Sequence, residues 1–391
     1  MALPLVYGLR SIWRRRTNAL ATAFGIGLVV FVLASSLMLA AGIRATLLSA
    51  GNSERALVLE GNGYAEPYSR LPQSALALVA AAPGIKRSSS RGPLVAGEAV
   101  VLIPFNKRGV TDEMYSVQVR GITDASFAIR PEIRIIDGRL PKSGTAEAII
   151  GKAALGRYEG LTRDGGFELK KNVPFKIVGV FEAGGSAYES EVWADLDGLR
   201  TSLGWQGNIS SITAVLESSR AYDRFAKAVN HDPRQGMQAE PETAYYRRLS
   251  QDLSEAMQGL GAIVAFICAL GALLGAMITM YGSVAERRRE IGTLRALGFS
   301  ARAVLVTFLL ESSLLAALGG GLGVGLALLT SFLDFTTTNV STDQVVTFHF
   351  LPEPVLLLGA LASGILVGIC GGLFPALKAA RASPLHAIRA R

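Results

Sequence analysis

The residue types that most often carry chemistry are sparse and scattered in this chain. His231, His349 and His386 share no metal-ligand spacing, and both cysteines, Cys268 and Cys370, fall inside apolar runs. No nucleophile–base pair or paired-carboxylate motif can be defended. The nearest approach to a nucleotide-binding loop, "GKAA" from Gly151, lacks the upstream glycine and the hydroxyl that would hold magnesium. Neither metal nor cofactor is therefore expected on these residues, and the chain is expected not to be an enzyme. The dense charge lies elsewhere, in "VAERRREIGTLRALGFSARAVLVTF" (284–308), where Glu286, Arg287, Arg288, Arg289, Glu290, Arg295 and Arg302 crowd together. Among them Ile291, Leu294 and Leu297 recur every third position, as on one face of a helix. Gly298 can end that helix in a left-handed conformation, and Ser300 can cap the next one. A topological signal needs only a few basic residues and no apolar stripe. The stripe predicts a short amphipathic helix, within a loop at 284–302, that offers a surface to a partner.

The elements that flank this loop are built for lipid. Half the 391 residues are hydrophobic and the mean hydropathy is +0.36, too apolar for an ordinary soluble protein of this length. Four runs reach the roughly 20 residues that a bilayer core requires: 19–43, 260–283, 303–333 and 354–377. The first has an apolar core about twice the 7–15 residues of a signal peptide and no clear cleavage site, so it reads as a retained span. The net charge of +8 could suggest nucleic acid, but its distribution argues otherwise. The segments at 1–18, 284–302 and 378–391 hold 13 of the 39 basic residues and 2 of the 31 acidic ones, leaving 26 basic against 29 acidic residues elsewhere. Confinement of positive charge to short segments beside spans is the positive-inside pattern. It places both termini and the 284–302 loop in the cytoplasm, and residues 44–258 and the 334–353 loop, which has no Lys or Arg, outside.

The outer segment, residues 44–258, is large enough for a full domain. Residues 71–84 and 219–233 carry helical periodicity, while "RALVLEG", "EAVVLIPF", "YSVQVRGI", "AEAIIG", "VPFKIVGVFE" and "SSITAVLES" read as strands. The expected fold class is thus a four-helix membrane protein with a large α+β extracytoplasmic domain between the first and second spans. A strand-rich block at about 93–203, flanked by the two helices, suggests a subdomain inserted into a βαβ-like one. From Pro241 to Gly259 no Pro or Gly interrupts the chain, so one stiff helix is expected to run from the domain into the second span. Residues 1–18 place Leu5, Leu9, Ile12 and Trp13 on one face, which suits an interfacial helix. The third run, at 1.5 Å per residue about 46 Å long against a core of about 30 Å, must tilt, project or break, with Gly319–Gly325 the expected place. Pairs of glycines four apart, Gly271 with Gly275, Gly319 with Gly323, Gly321 with Gly325, and Gly364, Gly368 and Gly372 in series, predict close helix packing. Glu311 is an acid inside a span, either functional or paired with a nearby arginine.

These residues carry a family resemblance. "ERRREIGTLRALGFS", "LLESSLLAALGGGLGVGLA" and "GGLFPALKAARASPLHAIRA", with the opening "LRSIWRRRTNALATAFGIGLVV", resemble the FtsX-like, or MacB-type, permease subunits of ABC transporters. "DGRLPKSGTAEAIIGKAALGRYEGL" and "FKIVGVFEAGG" resemble that family's extracytoplasmic core domain. The resemblance implies a bacterial cytoplasmic-membrane location, a second permease copy or sister permease, and a separate cytoplasmic ATPase in two copies that binds ATP and magnesium. It implies that Glu290, Ile291, Leu294, Arg295 and Gly298 form a coupling helix, with Glu286, Arg287 and Leu297 beside them. By the same resemblance Glu311, Pro384 and Ala387 match family positions, and a periplasmic adaptor is left open. MacB itself carries its ATPase on the same chain, whereas no Walker motif occurs in these 391 residues, so hydrolysis is expected on a partner. The alternative, a membrane-anchored receptor or sensor, is weakened by the lack of any cytoplasmic segment large enough to signal.

Overall fold

The computed structural model describes residues 16–61, 63–109, 114–170, 173–231, 236–339 and 342–381. Most of the interfacial helix expected at 1–18, and the tail beyond 381 with Pro384 and Ala387, lie outside the described residues. Two compact units emerge. One comprises 42–254 with 334–349; the other comprises the apolar helices.

The first unit is built on strands β1 (Arg55–Glu60), β2 (Val95–Asn106), β3 (Met114–Ile122), β4 (Arg134–Gly138), β5 (Glu147–Gly151), β6 (Gly166–Lys170), β7 (Val173–Glu182), β8 (Val192–Asp195), β9 (Ser211–Val215) and β10 (Met237–Pro241). They form one sheet in the order β10-β1-β9-β2-β3-β8-β5-β7-β4, with β6 also paired to β7. All six strands expected from sequence occur. β4, β6, β8 and β10 are additional.

Around the sheet pack helices α2 (Ala75–Ala80), α3 (Asp124–Ala128), α4 (Leu196–Leu203) and α5 (Tyr222–Asn230). The pairs β1–β9, β9–β2 and β1–β10 are antiparallel, so β1 runs parallel to β2 and β9 parallel to β10. With α2 and α5 as the crossovers, this is a pair of interleaved split βαβ units. Strand β2 is long enough to leave this lobe. Its first half pairs with β9 and its second half with β3, from Ala99↔Gly121 to Asn106↔Met114. Two apolar cores result. Val58, Val79, Ile212, Phe225 and Val229 fill the inner lobe. Val117, Val119, Ile150, Phe175, Val192 and Leu199 fill the outer one. Helix α4 shows why the local sequence folds as it does: Asp195 Oδ2 accepts from Gly198 N at 2.8 Å at its start, and Gly204 ends it at φ 72°.

The second unit is helical. Helices α1 (Arg16–Leu48), α6 (Glu242–Glu286), α8 (Ala301–Leu329) and α9 (Pro354–Ala380) are long and apolar enough to cross a membrane, and α7 (Arg288–Ala296) lies between α6 and α8. Helix α6 runs without interruption for 45 residues, supplying its first turns to the α+β unit and the rest to the helical one. Of the three options for the third run, to tilt, to project or to break, a break at Gly319–Gly325 does not occur: α8 is continuous through it. The glycines serve contact instead. A Cβ at Gly319 would collide with the backbone of Ala23, and one at Gly323 with that of Gly27, so α1 and α8 meet backbone to backbone. Added carbons at Gly364, Gly368 and Gly372 would strike Val30, Ala316 and Ser312. At Gly271, Gly275, Gly321 and Gly325, by contrast, no described atom beyond the helix's own adjoining backbone lies within 4 Å of such a carbon. These four face away from contacts among the described helices of this chain. Within this chain these four bring no described neighbour closer.

Strands β11 (Asp334–Thr338) and β12 (Val345–His349) form an antiparallel hairpin between α8 and α9 that belongs to the α+β unit. The sequence had suggested only a short loop there.

Candidate functional site

The charged loop folds as its spacing predicts into a nine-residue helix, α7, but its apolar stripe divides. Helix α6 ends at Glu286, and Arg287 leaves helical geometry at φ −98°, ψ 13°. Ile291 is 5 % exposed and packs with Met280, Val284, Val304, Phe308, Ala376 and Ala379. Leu294 is half-buried beside Val304, Thr307 and Phe308, whereas Leu297 is 73 % exposed. The stripe is therefore not wholly a partner surface, a correction to the sequence reading. Its N-terminal end anchors α7 to this chain's own helices, because Ile291 sits one turn from the α6 terminus where α8 and α9 converge.

What α7 leaves exposed is Arg288, Arg289, Glu290, Thr293, Ala296 and Leu297. Glu286 is also exposed, and Arg295 is half-buried with Nη1 donating to Phe299 O at 3.4 Å. Gly298 adopts φ +94°, and Ser300 Oγ accepts from Ala303 N at 3.2 Å to start α8. The reversal between α7 and α8 thus has the glycine and the cap that it needs. Arg287 turns from the charged surface and donates to Glu311 Oε2 at 3.2 Å, with the two side chains 12 % and 6 % exposed. Of the two readings left open for Glu311, the structure supplies the paired one. No catalytic chemistry follows from this arrangement. It is a short, anchored, polar helix held between two long ones.

A second charged cluster escaped the sequence reading. In the α+β unit Arg55, Arg120, Arg130, Glu66, Glu98, Glu191 and Glu242 are all buried. Arg120 makes a bidentate pair with Glu66 at 2.8 and 2.9 Å, another with Glu191 at 2.9 and 3.1 Å, and meets Glu98 at 2.8 Å. Arg130 holds Glu98 at 2.5 and 3.1 Å. Arg55 holds Glu242, on the first turn of α6, at 2.5 Å, and Glu132 at 2.7 Å. Tyr188 joins the groups: its hydroxyl donates to Glu242 at 3.3 Å and accepts from Arg130 Nε at 3.2 Å and from Tyr246 Oη at 2.9 Å. One donor and two lone pairs are all used.

The carboxylates do not behave alike. Burial works to raise the Glu98 carboxyl, but the two guanidiniums of Arg130 and Arg120 bring it down to about 2. At Glu191 burial outweighs Arg120, and its carboxyl lies above the ordinary range. Arg120 and Arg130, although burial opposes their charge, are held well above their ordinary range by the surrounding carboxylates. Arg55, Glu98 and Arg120 come from β1, β2 and β3 and Glu242 from α6, while Glu66 sits in a single 3-10 turn at 66–68, Arg130 just after α3 and Glu191 just before β8, so no local pattern in the sequence connects them. A retrospective signal is the placing of Glu98, Gln118 and Arg120 within otherwise apolar strand segments.

Apart from these clusters, Leu59, Glu60, Gly61, Gly63, Tyr64, Gln238, Glu240 and Arg248 line a cleft of about 290 Å³ at the β1–β10 edge.

Comparison with known proteins brings both units together. Residues 19–232 match the family model of the MacB-like periplasmic core domain, and residues 262–384 that of the FtsX-like permease C-terminal region. The chain is 31% identical over 260 residues to the pyoverdine export ATP-binding/permease protein PvdT of Pseudomonas entomophila, covering 63% of this chain and 38% of that protein. It is 27% identical over 421 residues to the ABC transporter permease YvrN of Bacillus subtilis, covering 97% of both. The periplasmic region of MacB from Actinobacillus actinomycetemcomitans superposes on 51% of this chain and 94% of that one at a TM-score of 0.36 with 12% identity. The chain spans less than two thirds of the length of relatives whose names include an ATP-binding part.

Proposed function

Because the chain belongs to the FtsX-like, MacB-type family of ABC transporter permeases, we propose that it is the membrane subunit that turns ATP hydrolysis on a cytoplasmic ATPase into movement of its extracytoplasmic α+β domain. ATP and magnesium belong to the partner in this reading. This chain supplies the handle and the transmission. The observation that carries it is the division of α7: Ile291 ties it to the helical unit, while Arg288, Arg289, Glu290 and Leu297 remain exposed. A helix anchored on one face can be gripped on the other without detaching. The exposed face, basic with one acid and one leucine, fits a groove that carries the opposite charges around an apolar spot.

Work delivered at α7 would reach α6 and α8, which flank it in the chain. Helix α6 continues unbroken from Glu286 back to Glu242. A continuous helix is stiff over this length, so a tilt at one end would be felt at the other. The output is export of a substrate from the periplasm or outer leaflet, or its extraction there. The assembly requires two ATPase copies and a second permease, either another copy or a sister chain, with both termini and α7 on the cytoplasmic side.

The test uses the full chain copurified in mild detergent with its ATPase. Leu297→Asp and Glu290→Lys are expected to abolish stimulation of the ATPase by this chain while leaving insertion in the membrane intact. Full stimulation in both variants would refute the docking assignment. A single cysteine introduced at Thr293 is expected to resist a membrane-impermeant thiol reagent applied outside intact cells. Labelling there would overturn the orientation.

A further inference from the structure

We infer that the segment Tyr188–Glu191 is the point at which two mechanical inputs to the α+β domain converge, one from the first turns of α6 and one from the hairpin β11–β12. The inference rests on the permease reading and adds a second route to it. Helix α6 is one attachment. The hairpin is another, because it is the whole connection between α8 and α9 on that side and yet it folds as part of the domain. Val345 is 2 % exposed and lies in the outer-lobe core; Val346 and Phe348 are buried as well. Asp334 pairs with Arg157, Thr336 Oγ1 accepts from Arg157 at 2.9 Å, and Asp343 accepts from Tyr68 Oη at 2.6 Å. A linker meant only to join two spans would need none of this.

The two attachments reach neighbouring residues. Thr347 N, on β12, donates to Ser190 Oγ at 3.1 Å in a buried contact. Two residues earlier, the Tyr188 hydroxyl joins Tyr246 and Glu242 of α6. Between and beside them the chain is clamped. Glu189 Oε1 accepts from Ala183 N and Gly185 N, both at 2.8 Å, and Glu189 O and Glu191 O accept from Ala153 N and Gly151 N at 3.0 and 2.9 Å. Gly151 can only be glycine in this setting, since an added carbon would collide with the Glu189 backbone. Glu191 then passes into the buried cluster through Arg120. A short segment fixed at both ends and along its length cannot absorb a displacement. It must move with both inputs or resist their difference, so the domain responds to α6 and to the α8–α9 pair jointly.

Amide hydrogen exchange on the full chain in lipid nanodiscs, without ATPase, tests the convergence. Tyr246→Phe removes the donor to Tyr188 and is expected to speed exchange at 345–348 about fivefold, the scale of one lost hydrogen bond, with strand β7 unchanged. Ser190→Ala is expected to do the reverse, speeding exchange at 246–250. Effects confined to the side of each substitution would overturn the inference. In the complex with the ATPase, the Tyr246→Phe, Ser190→Ala double variant is expected to hydrolyse ATP at the wild-type rate and to lose the change in exchange at 187–191 on trapping with ATP and vanadate. A double variant that keeps this change overturns the inference too. A wild-type complex showing no such change in either unit would instead count against the permease reading, and the measurements without ATPase would still decide the convergence.

Discussion

Two sets of arginines in this chain face opposite problems. Arg288 and Arg289 of α7 lie on an exposed surface, where water can solvate them. Arg55, Arg120 and Arg130 are buried in a domain whose sequence is close to neutral, where only carboxylates can solvate them. In the exposed set charge is a surface label, and its energetic weight in folding is small. In the buried set each guanidinium is a structural member. Removing it leaves acids with no counterion, which is costly even where the intact cluster contributes little net stability. Charge of one sign therefore lies on an exposed face in one region and forms a rigid joint in the other.

The largest effect expected from this contrast is at Arg120. Arg120→Met would leave Glu66 and Glu191 without their main partner, at a cost of about 3–5 kcal/mol, a large share of the roughly 5–15 kcal/mol that stabilises an ordinary domain. Thermal denaturation of the full chain in detergent, followed through buried Trp193, should show the domain transition lost or shifted far down. A shift no larger than that of a surface variant would mean that the cluster is wetter than its geometry indicates. Next come the two acids with opposite shifts. Glu98→Gln removes a charge that two guanidiniums hold, and should cost about 3 kcal/mol, whereas Glu191→Gln removes one that burial already disfavours and should cost about 1 kcal/mol or less. Equal losses would break the distinction between them.

The same pair gives a signed dependence on pH. The Glu98 carboxyl is brought below its ordinary 4.5 to about 2, so its contribution to stability is complete above 4.5 and fades as pH falls towards 2. Glu191 is raised, so its contribution runs the other way: it is complete below 4.5 and fades as pH rises through the raised value. The thermal midpoint of the wild-type domain should therefore fall between pH 4.5 and 2, and Glu98→Gln should flatten that fall. Glu191→Gln should leave the fall in place and act above pH 4.5 instead.

Where information is local, the sequence reading and the structure agree. Consecutive apolar residues define α1, α6, α8 and α9, and three-residue spacing ended by Gly298 and Ser300 defines α7. The sequence suggested a βαβ-like lobe holding an inserted strand-rich block, but not its strand order, because the pairing depends on strands far apart in the chain. What spacing could not give was the direction in which a side chain points once neighbours are present. Ile291 and Leu297 look equivalent in sequence, and only the convergence of α8 and α9 on one of them makes it core. The buried cluster was illegible for the same reason. Arg120 alternates with Val119 as a solvent-facing residue would, and the carboxylates that pair with it, Glu66 and Glu191, lie 54 and 71 residues away in the chain. The hairpin at 334–349 was hidden by its brevity, since two five-residue strands rich in threonine resemble a polar loop until a surface is there to receive them.

The smallest effect on folding is expected where the charge is densest, and this sharpens the comparison most. Arg288→Gln with Arg289→Gln removes two exposed charges whose ion-pair worth is about 0–1 kcal/mol each, and the thermal transition should move by no more than a surface substitution moves it. The same pair should lower stimulation of the copurified ATPase, and should do so more at low ionic strength than at high, because salt already screens exposed charge in the wild type. Such a result would separate a face used for contact from a joint used for rigidity by measurement as well as by burial. If instead the double variant lost thermal stability on the scale of Glu98→Gln while stimulating the ATPase normally, α7 would be a structural brace, and the handle would have to be sought elsewhere on the chain.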